Sequence, residues 1–182
     1  MEQYTNLGGR VFASHYHYYW FKSGSPAFSS IASWTSLSVP DTATIYDIDM
    51  SFPKGKAFGQ WLKNTGASTT LGQIPLDVVR DDVTTINTKT TTRWVHRTTP
   101  AESVKYLSFA TPIGKPAETQ CGRAVFSDIH ISARSVVSSG TFPTSCTPGS
   151  FSPQEKALEF LFFDLSSCVQ PDGEPPKVPP VK

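Results

Sequence analysis

A chain of 182 residues is long enough for one domain with a sizeable core. Its net charge of +1, with no Lys/Arg stripe, excludes the electrostatic footprint of a nucleic-acid binder, and no apolar run reaches the length of a membrane span. Only 17% of residues are charged and hydroxyl residues are abundant, which suits an extracytoplasmic (secreted or periplasmic) surface. The opening MEQYTNLGGR lacks the apolar core of a signal peptide, so an export signal would lie outside this chain.

In chain order, GGRVFAS (8–14) combines a turn signal with an apolar β-type run and predicts a short buried strand. It runs straight into SHYHYYW (14–20), which holds two of the four histidines among four aromatic rings. Residues 23–51, punctuated by Ser, Gly and Pro, read as a long loop. Phe58, Trp61 and Leu62 fall at helical spacing and predict a helix over 51–67, capped by Ser51 and stopped at Gly66. A β-rich stretch follows: LDVVR (76–80), TTRWVHR (91–97) and VKYLSFATPI (104–113), with Thr-rich 84–92 as a hairpin tip. His96 reads as a structural residue on an edge strand. GRAVFSDIHIS (122–132) is the clearest strand, and 135–151 is a Ser/Gly/Pro loop. FSPQEKALEFLFFDLSSCV (151–169) is the clearest helix, with Ser152 at N-cap, Pro153 at N1 and Glu155 at N3 forming a capping box. Leu158, Leu161, Phe162 and Leu165 form its expected core stripe. The proline-rich end, 170–182, reads as a linker or free tail. The expectation is a single α/β domain over 1–169 followed by that tail.

Two stretches carry a resemblance. GGRVFASHYH is similar to the glycine-rich turn, short strand and sharp elbow of the class I glutamine amidotransferase-like superfamily, with His15 about where the cysteine nucleophile stands. AVFSDIHIS is similar to the later strand that ends in that family's catalytic histidine, at His130. A histidine at the elbow points to the ThuA-like (trehalose-utilisation-like) branch. The resemblance implies a flavodoxin-like α/β sheet with helices, here carrying a β-rich insertion. Only seven residues precede GGRVFAS, where the family has two more strands, so on this resemblance the chain reads as a fragment truncated at the N-terminus, a reduced variant or a different fold. No cysteine occupies the elbow, so the chain is not a cysteine-dependent glutamine amidotransferase, and Ser132 replaces the acidic residue that follows the catalytic histidine.

On that resemblance His15 and His130 end neighbouring strands and lie close together. Residues two apart on an extended strand share a face, so His15 with His17, and Asp128 with His130, could together bind zinc or another divalent first-row metal and activate a water. A metal-free polar pocket using His15 or His130 as general base is the other reading. Ser14 is a candidate nucleophile, although the G-x-S-x-G context is missing. Tyr16, Tyr18, Trp20 and Trp34 offer flat faces for a saccharide or another small molecule. Two functions follow: a hydrolase acting on a carbohydrate, ester or lactone, or a non-catalytic binding domain of a larger exported protein. Of three cysteines, Cys121 precedes a strand and Cys168 ends the returning helix. The α/β unit places both at the bottom of the sheet, so a Cys121–Cys168 disulfide is the easiest pairing and Cys121–Cys146 the alternative.

Overall fold

The structure is a computed structural model that describes residues 1–35, 44–77, 79–131, 150–166 and 172–175. In chain order the elements are α1 (Glu2–Asn6), β1 (Arg10–Ser14), a 3-10 turn (His15–His17), α2 (Tyr18–Lys22), α3 (Pro26–Ser29), β2 (Ala32–Trp34), β3 (Ile45–Ile48), α4 (Pro53–Asn64), β4 (Gln73–Pro75), β5 (Val83–Ile86), β6 (Thr92–Arg97), β7 (Ser103–Thr111), β8 (Gly122–Ser127) and α5 (Pro153–Ser166).

Six strands form one mixed sheet in the order β1-β8-β7-β6-β3-β4. β1 and β8 pair in parallel, from Arg10 opposite Arg123 to Ser14 opposite Ser127. The other neighbours run antiparallel. The β-rich stretch is therefore the body of the sheet. β5 leaves it, to pair with β2 in a separate ribbon, and the strand expected at 76–80 is, among its described residues, a single bridge from Val79 to Ile129. The β2–β5 pairing removes the expected hairpin tip at 84–92, because β5 and β6 belong to different sheets. His96 is buried on β6 between β7 and β3, which makes its strand interior instead of an edge. Residues 23–51 hold α3, β2 and β3 where the sequence suggested a loop.

Side chains alternate along β8 and divide the core in two. Val125 joins Phe58, Leu62, Trp94, Tyr106, Ala157 and Leu161 on the face covered by α4 and α5. Ala124 and Phe126 join Phe21, Phe28, Val83, Leu107 and Phe109 on the other face, beneath α2, α3 and the ribbon. The cap expected for α5 forms, whereas Ser51 does not cap α4. For α5, the Ser152 N–H donates to Glu155 Oε2 at 2.6 Å and the Glu155 N–H to Ser152 Oγ at 3.2 Å, completing the capping box. For α4, the cap residue is Phe52 with Pro53 at N1, while the Ser51 hydroxyl donates to Asp49 Oδ1 at 2.6 Å. Gly55 is required there, because a Cβ would come 2.0 Å from the Asp49 carbonyl oxygen. The buried stripe of α5 is Gln154, Ala157, Leu161 and Leu165, while Phe162 is largely exposed and touches Phe12 edge-on at 5.4 Å.

At the start of β8, buried Arg123 sits between acids. Its Nη2 lies 3.1 Å from Asp164 and 2.7 Å from Asp172, and Lys54 lies 2.8 Å from Asp164. The start of the proline-rich end is thus held to the domain: Asp172 also accepts from the Thr92 hydroxyl at 2.7 Å. Cys121 is exposed, with its Sγ 3.5 Å from the Asn6 carbonyl oxygen. No disulfide joins described residues. Cys146, Cys168 and Ser132 lie outside them, as does most of the loop 135–151.

Candidate functional site

Because β1 and β8 are parallel and in register, their C-terminal ends open at one edge of the sheet. His15 and His130 stand just past those ends, with ring centroids 4.7 Å apart. The strand does not stay extended beyond Ser14. His15 takes φ 54, and the chain turns at once into the 3-10 turn. A left-handed backbone costs a non-glycine residue about 1 kcal/mol or more, a cost His tolerates better than most.

The hydrogen bonds give the two imidazoles different jobs. The Tyr16 N–H donates to His15 Nδ1 at 2.8 Å, so a neutral His15 carries its proton on Nε2 and presents a donor. His130 Nε2 is buried and has no hydrogen-bond partner among the described residues. The His130 backbone is fixed: its carbonyl accepts from Gln154 Nε2 at 2.6 Å, and Gln154 Oε1 in turn accepts from the Asp77 N–H at 3.2 Å. Both imidazoles are pushed below their ordinary value. Burial is the first cause for each; the Arg80 charge follows for His15, and His15 then Arg80 for His130. Both rings are therefore neutral at pH 7.

Arg80 arrives on a segment laced to the end of β8. Val79 bridges Ile129, and the Arg80 N–H donates to the Asp128 carbonyl at 3.0 Å. Its guanidinium lies 5.4 Å from the centre of the Tyr16 ring, and Nε is 3.7 Å from Asp82 Oδ2. Asp128 anchors this segment, with Oδ2 accepting from the Asp82 N–H at 2.9 Å. Both aspartates are fully buried. Burial first, then the Asp82 charge, push Asp128 well above its ordinary value.

A cavity of about 340 Å³ opens beside the histidines. Ser14, His15, Ser127 and His130 line the strand-end side, and Phe12, Tyr106, Ala157, Leu158 and Leu161 the rest. Burial, chiefly, pushes the Tyr106 phenol well above its ordinary value, so it stays protonated.

The expected metal set does not assemble. His17 turns away with the 3-10 turn, accepts from the Ser14 N–H at 3.4 Å and stacks on Trp20 at 4.3 Å. Asp128 is spent on Asp82. Among the described residues no group of three or more His, Cys, Asp or Glu side chains is placed to hold a metal. The expected aromatic platform splits as well. Trp34 packs on Phe21 and Phe126, at 6.0 and 5.5 Å, and Tyr18 stacks on Trp34. Tyr16 and Trp20 remain 68% and 53% exposed, joined by Tyr19 at 61%. None of these rings lines the cavity. Sequence reasoning missed Arg80, Asp82 and Gln154. RDD (80–82), three charges together in a chain poor in charge, was the available signal.

No family model, curated protein or solved structure matches this chain. Among the described residues no helix is long and apolar enough to cross a membrane.

Proposed function

We propose that the chain is a metal-free hydrolase of esters or lactones, with His130 as general base and His15 as hydrogen-bond donor to the reacting carbonyl. The observation that carries this reading is the unpartnered, buried His130 Nε2 at a cavity mouth, 4.7 Å ring to ring from a second imidazole. His130 Nε2 takes a proton from water while the water oxygen attacks the carbonyl carbon. His15 Nε2–H, aided by the Arg80 charge, stabilises the oxyanion. Collapse expels the alkoxide, which recovers the proton from the His130 imidazolium, leaving acid and alcohol. Depressed imidazole values support the base role, since a base must be neutral at working pH. Glycoside hydrolysis fits less well, because it calls on two carboxyls flanking the substrate and the acid pair here is fully buried. Ser14 lines the same cavity and is the candidate for a covalent variant of this chemistry.

The strained turn at His15, the parallel β1–β8 pair and the histidine after β8 support likeness to the ThuA-like branch in these elements alone, while the four antiparallel ladders of the sheet are unlike a parallel flavodoxin-like sheet. A low-charge, hydroxyl-rich composition supports an extracytoplasmic location. The test is turnover of p-nitrophenyl acetate and γ-lactones across pH. His130→Ala and His15→Ala should each lower kcat/KM by about 100-fold or more with unchanged circular dichroism, and the acid limb of the wild-type profile should lie below pH 6.5. Equal turnover in either variant rejects the assignment.

A second reading, a carbohydrate-binding accessory domain, is supported by exposed Tyr16, Tyr19 and Trp20 grouped on one turn. Saccharide-dependent quenching of Trp20 fluorescence in a protein without esterase activity would favour it.

A further inference from the structure

The cavity has a direction. Gln154, Ala157, Leu158 and Leu161 recur at helical spacing along one face of α5, so this wall runs from the His130 carbonyl about 10 Å along the helix at 1.5 Å per residue. Phe12 and Tyr106 face it from β1 and β7. Phe12 stands two residues before Ser14, further from the strand ends, while Tyr106, opposite Ser127, brings one buried hydroxyl without a partner among the described residues to the start of an otherwise apolar floor. Polar chemistry therefore gathers at one end of the cavity and hydrocarbon lines the other. A saccharide ring in the hydrocarbon part would lose water from several hydroxyls without recovering hydrogen bonds, at a cost of about 1–3 kcal/mol for each unmet group. An alkyl chain has no such penalty. At roughly 30 Å³ per water-sized group, a volume of 340 Å³ accepts about eleven such groups.

We infer that this cavity is an acyl-binding pocket, and that the preferred substrates are esters or lactones whose acyl part is an unbranched aliphatic chain of about eight to ten carbons. The inference rests on the hydrolase reading for its chemistry, but the pocket itself is testable without turnover. The carbonyl carbon sits by His15 and His130, and the chain lies between α5 and the floor made by Phe12 and Tyr106. Leu158 and Leu161 set the length that fits.

The experiment uses the full chain. First, kcat/KM is measured for p-nitrophenyl acetate, butyrate, hexanoate, octanoate and decanoate. Each methylene buried adds about 0.8 kcal/mol, equivalent to a rise of about fourfold per carbon, and the rise should stop near octanoate or decanoate. Second, saturation-transfer NMR compares 2-decanone with 2-butanone, two ketones that cannot be hydrolysed; 2-decanone alone should show transfer. Third, Leu158→Trp, which fills the groove from a partly buried position, should lower the octanoate-to-acetate ratio of kcat/KM at least tenfold. If that variant does not fold, the wild-type series and the ketone pair still decide. Hydrolysis with a flat chain-length series overturns the acyl pocket and leaves the hydrolase reading standing. Selective binding of 2-decanone without hydrolysis supports the pocket and removes the hydrolase reading. Absence of both selectivities overturns the inference.

Discussion

β8 has a buried charged residue at each end, and the two are neutralised in opposite ways. Arg123, near its start, faces Asp164 and Asp172 and is held charged by them; burial opposes this charge, but the two carboxylates outweigh it. Asp128, just past its end, faces the buried carboxyl of Asp82, and burial first, then that charge, raise it well above its ordinary value. The Arg123 end is the more densely bonded: its Nη2 also donates to Ser108 Oγ at 3.0 Å, which accepts from Trp94 Nε1 at 2.8 Å, although Arg123 Nε has no partner among the described residues. The Asp128 end keeps polar atoms unpartnered, among them His130 Nε2, beside an open cavity. One end of the strand is arranged for stability and the other for chemistry.

The comparison breaks most visibly at Arg123. Arg123→Met removes from Asp164 and Asp172 the buried guanidinium they share, leaving Lys54 as a counter-charge among the described residues, and should cost about 3–5 kcal/mol in urea denaturation. A loss under 1 kcal/mol would show that this end contributes little.

Asp128→Asn sharpens the other half. The folded state holds a proton that an unfolded aspartate releases above about pH 4, so this group lowers stability as pH rises from there towards its raised value. The depressed histidines act in the opposite sense. They stay neutral in the fold while the unfolded chain takes up protons below pH 6.5, so their contribution is lost as pH falls through that range. The difference between wild type and Asp128→Asn isolates the acid pair. The variant should be more stable at pH 7, on the order of 1 kcal/mol, and the advantage should vanish by about pH 4. An advantage independent of pH would mean that folding does not raise Asp128 above its ordinary value.

The smallest effect is expected at the cap of α5, whose first turn carries Gln154 to the His130 carbonyl. Ser152→Ala should cost about 1 kcal/mol, a fall in Tm of about 2–4 °C. A larger fall, with loss of esterase activity, would mean that this helix end also holds the catalytic backbone in place.

The sequence by itself determined the elements whose signals are local. The strand at 10–14, the helix from Pro153 and its capping box were legible because apolar runs, Pro at N1 and the Ser/Glu spacing act within a few residues. It also marked His15 and His130 as the histidines at two strand ends. Pairing was not legible. Whether β5 joins β6 or β2, and whether His96 is edge or interior, depends on strands far apart in the chain. The site divided along the same line. An extended strand would have turned His15 and His17 to one face, but the left-handed backbone at His15 separated them. Arg80, Asp82 and Gln154 reach the histidines through the bridge of Val79 to Ile129 and the first turn of α5. Those contacts span 24 to 50 residues of sequence, and burial and partner charge, which set the proton on each group, exist only once such distant segments have packed.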